Sequence, residues 1–387
     1  MRRSIKQVFF IGILFVLFFI LTGCGSRPIY FMSSPPLLYG MEGSDDSLLV
    51  IQQNDKFGYA DATGKIVIKP QYLYARPFHD GVAAVKGTQG KFGYIDKTGR
   101  PVIPFRLYGA TDFHNGVAFA SDSLTNAGEL NYELITIIDT KGKAIRQTTY
   151  TSMSDFSDGI AFAYQYNSKT NGYDQIPMDL HGAKVDIVSP DEDSAWIDPF
   201  SEGIAYVRVK GSTGFFVDKT GTQSFVNCFV DSQIFSDGLA AVQTGKKKNL
   251  WGYIDKTGKL IINESYLFAG RFGQGIALVE GDDGTWEIID ADGKIKCSAF
   301  GPVDTALSFA EGLCAVGKLK GKYEYYHSPC PPYKLDYDWG FIDTTGKLVI
   351  DFQYDLVTPF KNGIAQVLVD GRIGYIDKTG KYIWEPK

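Results

Sequence analysis

Histidine and cysteine are scarce in this chain: 387 residues hold 4 of the first and 5 of the second. No Cys-x-x-Cys or paired Cys/His spacing occurs, so a structural zinc site is not expected. Also missing are a Gly-x-Ser-x-Gly elbow, a phosphate-cradling Gly-Lys-Thr/Ser loop and a His-Glu-x-x-His pair, the usual carriers of hydrolytic and phosphoryl chemistry. His79 and His114 occupy equivalent Phe-His-x-Gly positions, His181 sits in a degenerate turn and His327 in a long insertion. A general base should be unique, not copied with a repeat. No pair of acids stands outside the repeat pattern, as a glycosidase pair held about 5 to 9 Å apart would. Basic residues are not in excess either, with 39 Lys+Arg against 44 Asp+Glu. That argues against sequence-independent nucleic-acid binding and against adhesion to anionic lipid by charge. The expectation is a non-enzyme with no cofactor and no metal.

What is present begins with a leader. Arg2, Arg3 and Lys6 precede an apolar run from Val8 to Ile20 broken only by Gly12, the layout of an export signal. The run is shorter than the about 20 apolar residues of a spanning helix. It ends in Leu21-Thr22-Gly23-Cys24, which resembles the lipobox of bacterial lipoproteins. The resemblance implies cleavage after residue 23, lipidation of Cys24 and attachment to the outer face of a membrane in the bacterial cell envelope, where acyl chains anchor by burying CH₂ groups. Loss of residues 1–23 removes three positive charges and no acid, moving the net charge from −5 to −8. Residues 24–47, with Pro28, Pro35 and Pro36 among scattered Gly and Ser, read as a tether.

From residue 48 onward the chain repeats itself. An Asp followed three positions later by Gly recurs as Asp61/Gly64, Asp96/Gly99, Asp139/Gly142, Asp179/Gly182, Asp218/Gly221, Asp255/Gly258, Asp290/Gly293, Asp343/Gly346 and Asp377/Gly380, about 35 to 45 residues apart with one wider gap before Asp343. Such a period marks a stacked or radial array. Each unit reads as three strands. The first is Trp251-Gly-Tyr-Ile-Asp255 and its copies at Phe57, Phe92, Trp339 and Ile373, where the internal Gly implies a close neighbour. The Asp-Lys-Thr-Gly turn comes next, read as type I with a Gly bulge, and leads to a β-branched strand such as Leu260-Ile-Ile262. The last strand follows a Phe-x-x-Gly signal, as in Phe78-His-Asp-Gly81 and then Val82-Ala-Ala-Val85. Trp251, Gly252, Asp255, Gly258, Trp339, Gly340, Asp343 and Gly346 are the structural residues of the two best-preserved copies.

On these residues the chain resembles the WG-repeat, or KWG-repeat, family across nearly all of residues 48–387. The resemblance implies exported or surface-associated bacterial repeat proteins and supplies no catalytic residues. Two units depart from the pattern, around Asp179 and Asp218, where the aromatic and Gly are exchanged at Gly214-Phe215.

The fold expectation is all-β, a tandem array of about eight three-stranded β-meander repeats closed by a half-unit ending at Trp384. A solenoid or superhelix is favoured over a β-propeller-like ring, since propeller blades have four strands; the alternative would need the 72–78 connection to supply the fourth. Cys314 stands where other units carry Ala and reads as a core residue. The disulfide pairing of Cys228, Cys297, Cys314 and Cys330 is left open, four cysteines allowing three connectivities. Insertions at 121–133 and 318–338 lengthen two hairpins, and the second holds Tyr323, Tyr325, Tyr326, His327, Tyr333 and Tyr337. Tyrosine combines contact area with a hydroxyl at low entropic cost, so these six are the candidate binding residues. The functional expectation is a lipid-anchored binding or scaffold module for a protein, peptide or cell-wall glycan. A passive envelope spacer is the alternative, and an enzyme acting on cell-wall polymer the least favoured.

Overall fold

A computed structural model describes residues 48–386 apart from 122–123, 128–129, 134, 149, 151, 169–171, 188–194, 210, 247–249, 299–302 and 325–332. The signal segment, Cys24 and the tether lie outside the described residues. Within them the structure is all-β, without a helix.

One unit shows how the residues build the element. In the second unit, Tyr74–Ala75, Val82–Lys86, Phe92–Asp96 and Pro101–Leu107 form an antiparallel sheet in sequence order. Val82 pairs with Asp96 and Ala84 with Tyr94. The Asp96 side chain closes the turn at the end of the third strand, taking the amides of Thr98 and Arg100 at 2.8 and 3.0 Å and the Thr98 hydroxyl at 2.6 Å. Gly99 follows at φ +84 and the register shifts by one residue, a type I turn with a Gly bulge.

The Gly inside the aromatic strand also has a local cause. A Cβ on Gly252 would sit 2.6 Å from the Ile262 carbonyl oxygen and 2.9 Å from the Glu264 amide. The bulged partner strand presses its backbone against this position, leaving no room for a side chain. Gly93 and Gly340 face the same carbonyl of their own partner strands.

Leaving aside the two-stranded ribbon Leu124–Ala127 and Leu130–Glu133, the described strands form eight sheets, and the seven-stranded one holds two units joined through the shared strand Leu260–Ala269. That makes nine units. Between each neighbouring pair lies one apolar core, in which small residues of one second strand meet large residues of the preceding sheet. Between the first and second units, Tyr59, Ile68 and Tyr72 pack on Ala75, Phe78, Ala83 and Val85. Between the sixth and seventh, Trp251, Tyr253 and Tyr266 pack on Ala269, Phe272, Ala277 and Val279. Burying each such aromatic contributes about 1.5–3 kcal/mol. Cys314 fills the equivalent place in the eighth unit, fully buried.

The ninth core corrects the expected architecture. Ile364, Leu368, Ile373 and Tyr375 of the last unit pack on Leu49, Ile51 and Ala60 of the first. The array therefore closes on itself as a propeller-like ring, and the solenoid is not supported. The three-strand unit is corrected with it. Two-residue strands such as Tyr74–Ala75, Gly109–Ala110 and Leu356–Val357 supply a first strand, inside the connection set aside for the alternative. They are too short to leave a period-2 signature in the sequence. The final unit is complete through Tyr382–Trp384, so the expected closing half-unit is corrected to a full one, while the first unit shows three strands among the described residues. The degenerate fourth and fifth units lack an outer strand in their ladders but keep their shared core of Phe162, Ile197, Phe200, Val207 and Val217. Cys228, Cys297 and Cys314 are free thiols, and Cys330 lies outside the described residues.

Candidate functional site

The strand order gives the ring two unlike faces. In each unit the second strand starts where the third ends, so the Phe-x-x-Gly turns and the Asp-x-x-Gly turns share one face. The connections from second to third strand share the other. The described chain begins on the turn face, where Leu49 pairs with Ala60 next to the Asp61 turn.

Both sequence insertions lie on the loop face. The ribbon 124–133 joins the second and third strands of the third unit, and the same connection in the eighth unit is the hairpin of Leu313–Glu324 with Tyr333–Asp343. Its ladder runs from Leu313↔Asp343 out to Glu324↔Tyr333. The second unit, by contrast, ends its hairpin at Lys86↔Phe92. Of the six candidate residues, Tyr325, Tyr326 and His327 lie outside the described residues. Tyr323 pairs with Lys334 and Tyr333 with Glu324 in the ladder. Tyr337 is at the root, half-buried with its ring 6.0 Å from Trp339, and burial pushes its hydroxyl above the ordinary pKa. The structure thus separates Tyr337, part of the packed base, from the ladder residues farther out.

The turn face holds a second polar assembly that follows from the repeat. Eight turns place two consecutive residues at positive φ, as at Asp80 and Gly81 (φ 50 and 81), which is the two-residue type I′ hairpin favoured by strand twist. The first residue of the turn then accepts from the glycine amide of the next unit: Asp80 from Gly116 at 2.7 Å, Asp237 from Gly275 at 2.8 Å, Glu311 from Gly363 at 2.9 Å. One residue earlier, the hydroxyls of Ser157, Ser201 and Ser236 donate to the carbonyls of Phe200, Phe235 and Phe272 at 2.6–2.8 Å.

In the second to fourth units a charged cluster stands beside this pattern. Arg76 Nε and Nη2 donate to the two Asp112 oxygens at 2.8 and 2.9 Å, and Nη2 also donates to Asp155 Oδ2 at 2.9 Å. Arg76 belongs to the second unit and Asp155 to the fourth, so one side chain spans the third. Such reach is possible only where units converge toward the ring axis. The two carboxylates outweigh the burial that opposes charge on Arg76 and hold its guanidinium firmly protonated. His79 and His114 stand in the serine positions, their rings 5.1 Å apart, with His79 Nε2 3.7 Å from Asp112 Oδ2. Arg208 of the fifth unit makes a similar bridge, to Asp198 in its own unit and to Asp231 and the Ser232 carbonyl of the next. Burial pushes the Asp198 carboxyl up against the pull of Arg208.

In the sequence His79 and His114 stand out as equivalent positions, while Arg76, Asp112 and Asp155 carry no assigned role. A signal existed: Asp112 and Asp155 occupy the position before the repeat Phe where Pro77, Pro199 and Pro359 stand in other units. No cluster of three or more His, Cys, Asp or Glu residues able to hold a metal is found among the described residues.

No curated protein matches the chain. Among solved structures, the computationally designed Ika8 protein superposes with a TM-score of 0.41 at 14% identity, covering 79% of this chain and 93% of that one. An uncharacterized protein of Listeria monocytogenes EGD-e, lmo1340, gives 0.39 at 11%, covering 88% and 94%. BamB from Moraxella catarrhalis gives 0.33 at 11%, covering 87% and 92%. At these scores the likenesses carry no argument about fold or function. The sequence matches are more specific and begin in or just before the third strand of a unit, so each straddles two structural units. Residues 57–91, 92–121, 135–169, 251–286 and 339–372 match the family model described as WG containing repeat, and the chain is therefore built on WG repeats at these five positions.

Proposed function

We propose that this protein is a non-catalytic binding or scaffold module of the bacterial cell envelope, tethered through lipidated Cys24 and recognising a protein, peptide or cell-wall glycan with its loop face. The observation that carries the reading is the eighth-unit hairpin, whose ladder extends to Glu324↔Tyr333 far beyond the repeat average. In a repeat array, departures from the average on one face are where recognition is built. The entry of the chain on the turn face is consistent with an anchor on that side, leaving the loop face turned away from it. The charged cluster is already engaged in internal pairing, as befits a structural element rather than a catalytic one.

The test is capture from envelope extract by residues 25–387, beside a variant in which 320–336 is replaced by a short turn. Material retained by the first and lost from the second supports recognition by the hairpin. Background from both favours the passive spacer. The anchor is tested separately, since Cys24→Ala should move the protein from the membrane fraction to the soluble one.

A further inference from the structure

Among the described residues, three of the five buried side-chain atoms without a hydrogen-bond partner fall in one place: His79 Nδ1, His79 Nε2 and Asp155 Oδ1. His79 is 1% exposed. A buried polar atom left unbonded is destabilising, so this cluster is held together against a local penalty. The column that contains it is otherwise well satisfied, because Ser157, Ser201 and Ser236 hydrogen-bond to the next unit from the same position.

We propose that the His79–His114 contact is an acid-sensitive joint in the ring: closed while His114 is neutral, and loosened between the second, third and fourth units when mild acid protonates it. The facing groups set the balance. Arg76 contributes one positive charge, Asp112 and Asp155 two negative ones, and Asp80 a further acid on the turn itself, while the Phe156 ring lies 6.0 Å from His114. Arg76 already occupies both Asp112 oxygens and one of Asp155, leaving only Asp155 Oδ1 unbonded. A first imidazolium finds partial compensation there. A second adds like charge 5.1 Å from the first and close to Arg76, in surroundings that solvate it poorly.

The His114 imidazole is held below its ordinary value, first by burial and then by His79. A histidine depressed in this way favours the fold while neutral. Its contribution is present above the unfolded value of about 6.5 and is lost as the pH falls below it.

The experiment is the thermal midpoint of the full chain from pH 8 to pH 5 for the native protein and for His79→Ser/His114→Ser, which installs the serine found there in the fourth, fifth and sixth units. His181 and His327 remain in both and serve as internal controls. The expected result is a midpoint that falls by at least about 2–4 °C from pH 8 to pH 5 in the native chain and stays nearly flat in the double variant. Equal pH dependence in the two, or none in the native chain, overturns the proposal. If the double variant does not fold, NMR titration of the imidazole protons in the native chain decides. A His114 imidazole that titrates clearly below the ordinary histidine value of about 6.5 upholds the joint, and an ordinary titration of His114 sinks it.

Discussion

Single residues carry much of this fold because each repeat spends the same few atoms on the same tasks. Gly252 gives way to the backbone of its own partner strand, and the obstacle to a side chain is a carbonyl oxygen and an amide rather than a flexible side chain. Gly252→Ala is therefore expected to destabilise by about 2–3 kcal/mol, an overpacking cost, read as a lower denaturant midpoint with unchanged slope. Asp255 works differently, as an acceptor for the Thr257 amide and hydroxyl and the Lys259 amide. These bonds hold its carboxyl below the ordinary value, the Thr257 hydroxyl contributing most. Its stabilisation is present above the unfolded carboxylate pKa of about 3.9 and disappears as the pH falls through the lower folded value. Asp255→Asn should accordingly lose less stability than the native chain between pH 4 and pH 2, measured by denaturant unfolding at each pH. Equal losses would mean that the turn carboxylates do not govern acid unfolding.

At the scale of the element, the unit is tied to its neighbour through the tyrosine that follows the strand glycine. Tyr59, Tyr94 and Tyr253 each donate a hydroxyl across the interface to a backbone carbonyl, those of Arg76, Thr111 and Gly270, at 2.7–2.8 Å. Phe341 occupies the same position in the eighth unit and packs against Phe360 without such a bond. Tyr94→Phe should thus fold while costing about 1–3 kcal/mol, the value of leaving a buried acceptor unpaired. A negligible loss by thermal or denaturant unfolding would show that packing alone joins the units. Much of the element was legible beforehand. The Asp-x-x-Gly turn, the close approach at the strand glycine and the Ala position filled by Cys314 are consequences of sterics and hydrogen bonding within one hairpin or its core. The first strand was not, because Tyr74–Ala75 is held by pairing with Lys86 and Val85 rather than by a pattern of its own.

For the whole molecule the decisive contact is the core between the last and first units. A closed ring of residues 48–387 should show a radius of gyration near that of a compact domain, about 20 Å from the length scaling, in solution scattering. An elongated profile with a clearly larger radius would contradict closure. A circular permutant that joins the ends near Trp384 and Leu48 and opens the chain in the 244–250 connection should keep one cooperative unfolding transition, because every inter-unit core survives. An open array treated in the same way would lose an interface.

By itself the sequence determined the all-β class, the repeat with three of its four strands, its turns and the two places where the loop face departs from the average. Each of these depends on forces acting within a few residues or across one hairpin, and so is written locally. Tertiary structure alone decided that nine units close, that Arg76 reaches past one unit to Asp155, and that His79 and His114 meet in a buried contact. These depend on the small rotation between neighbouring units summed around the ring, and no single repeat encodes that sum.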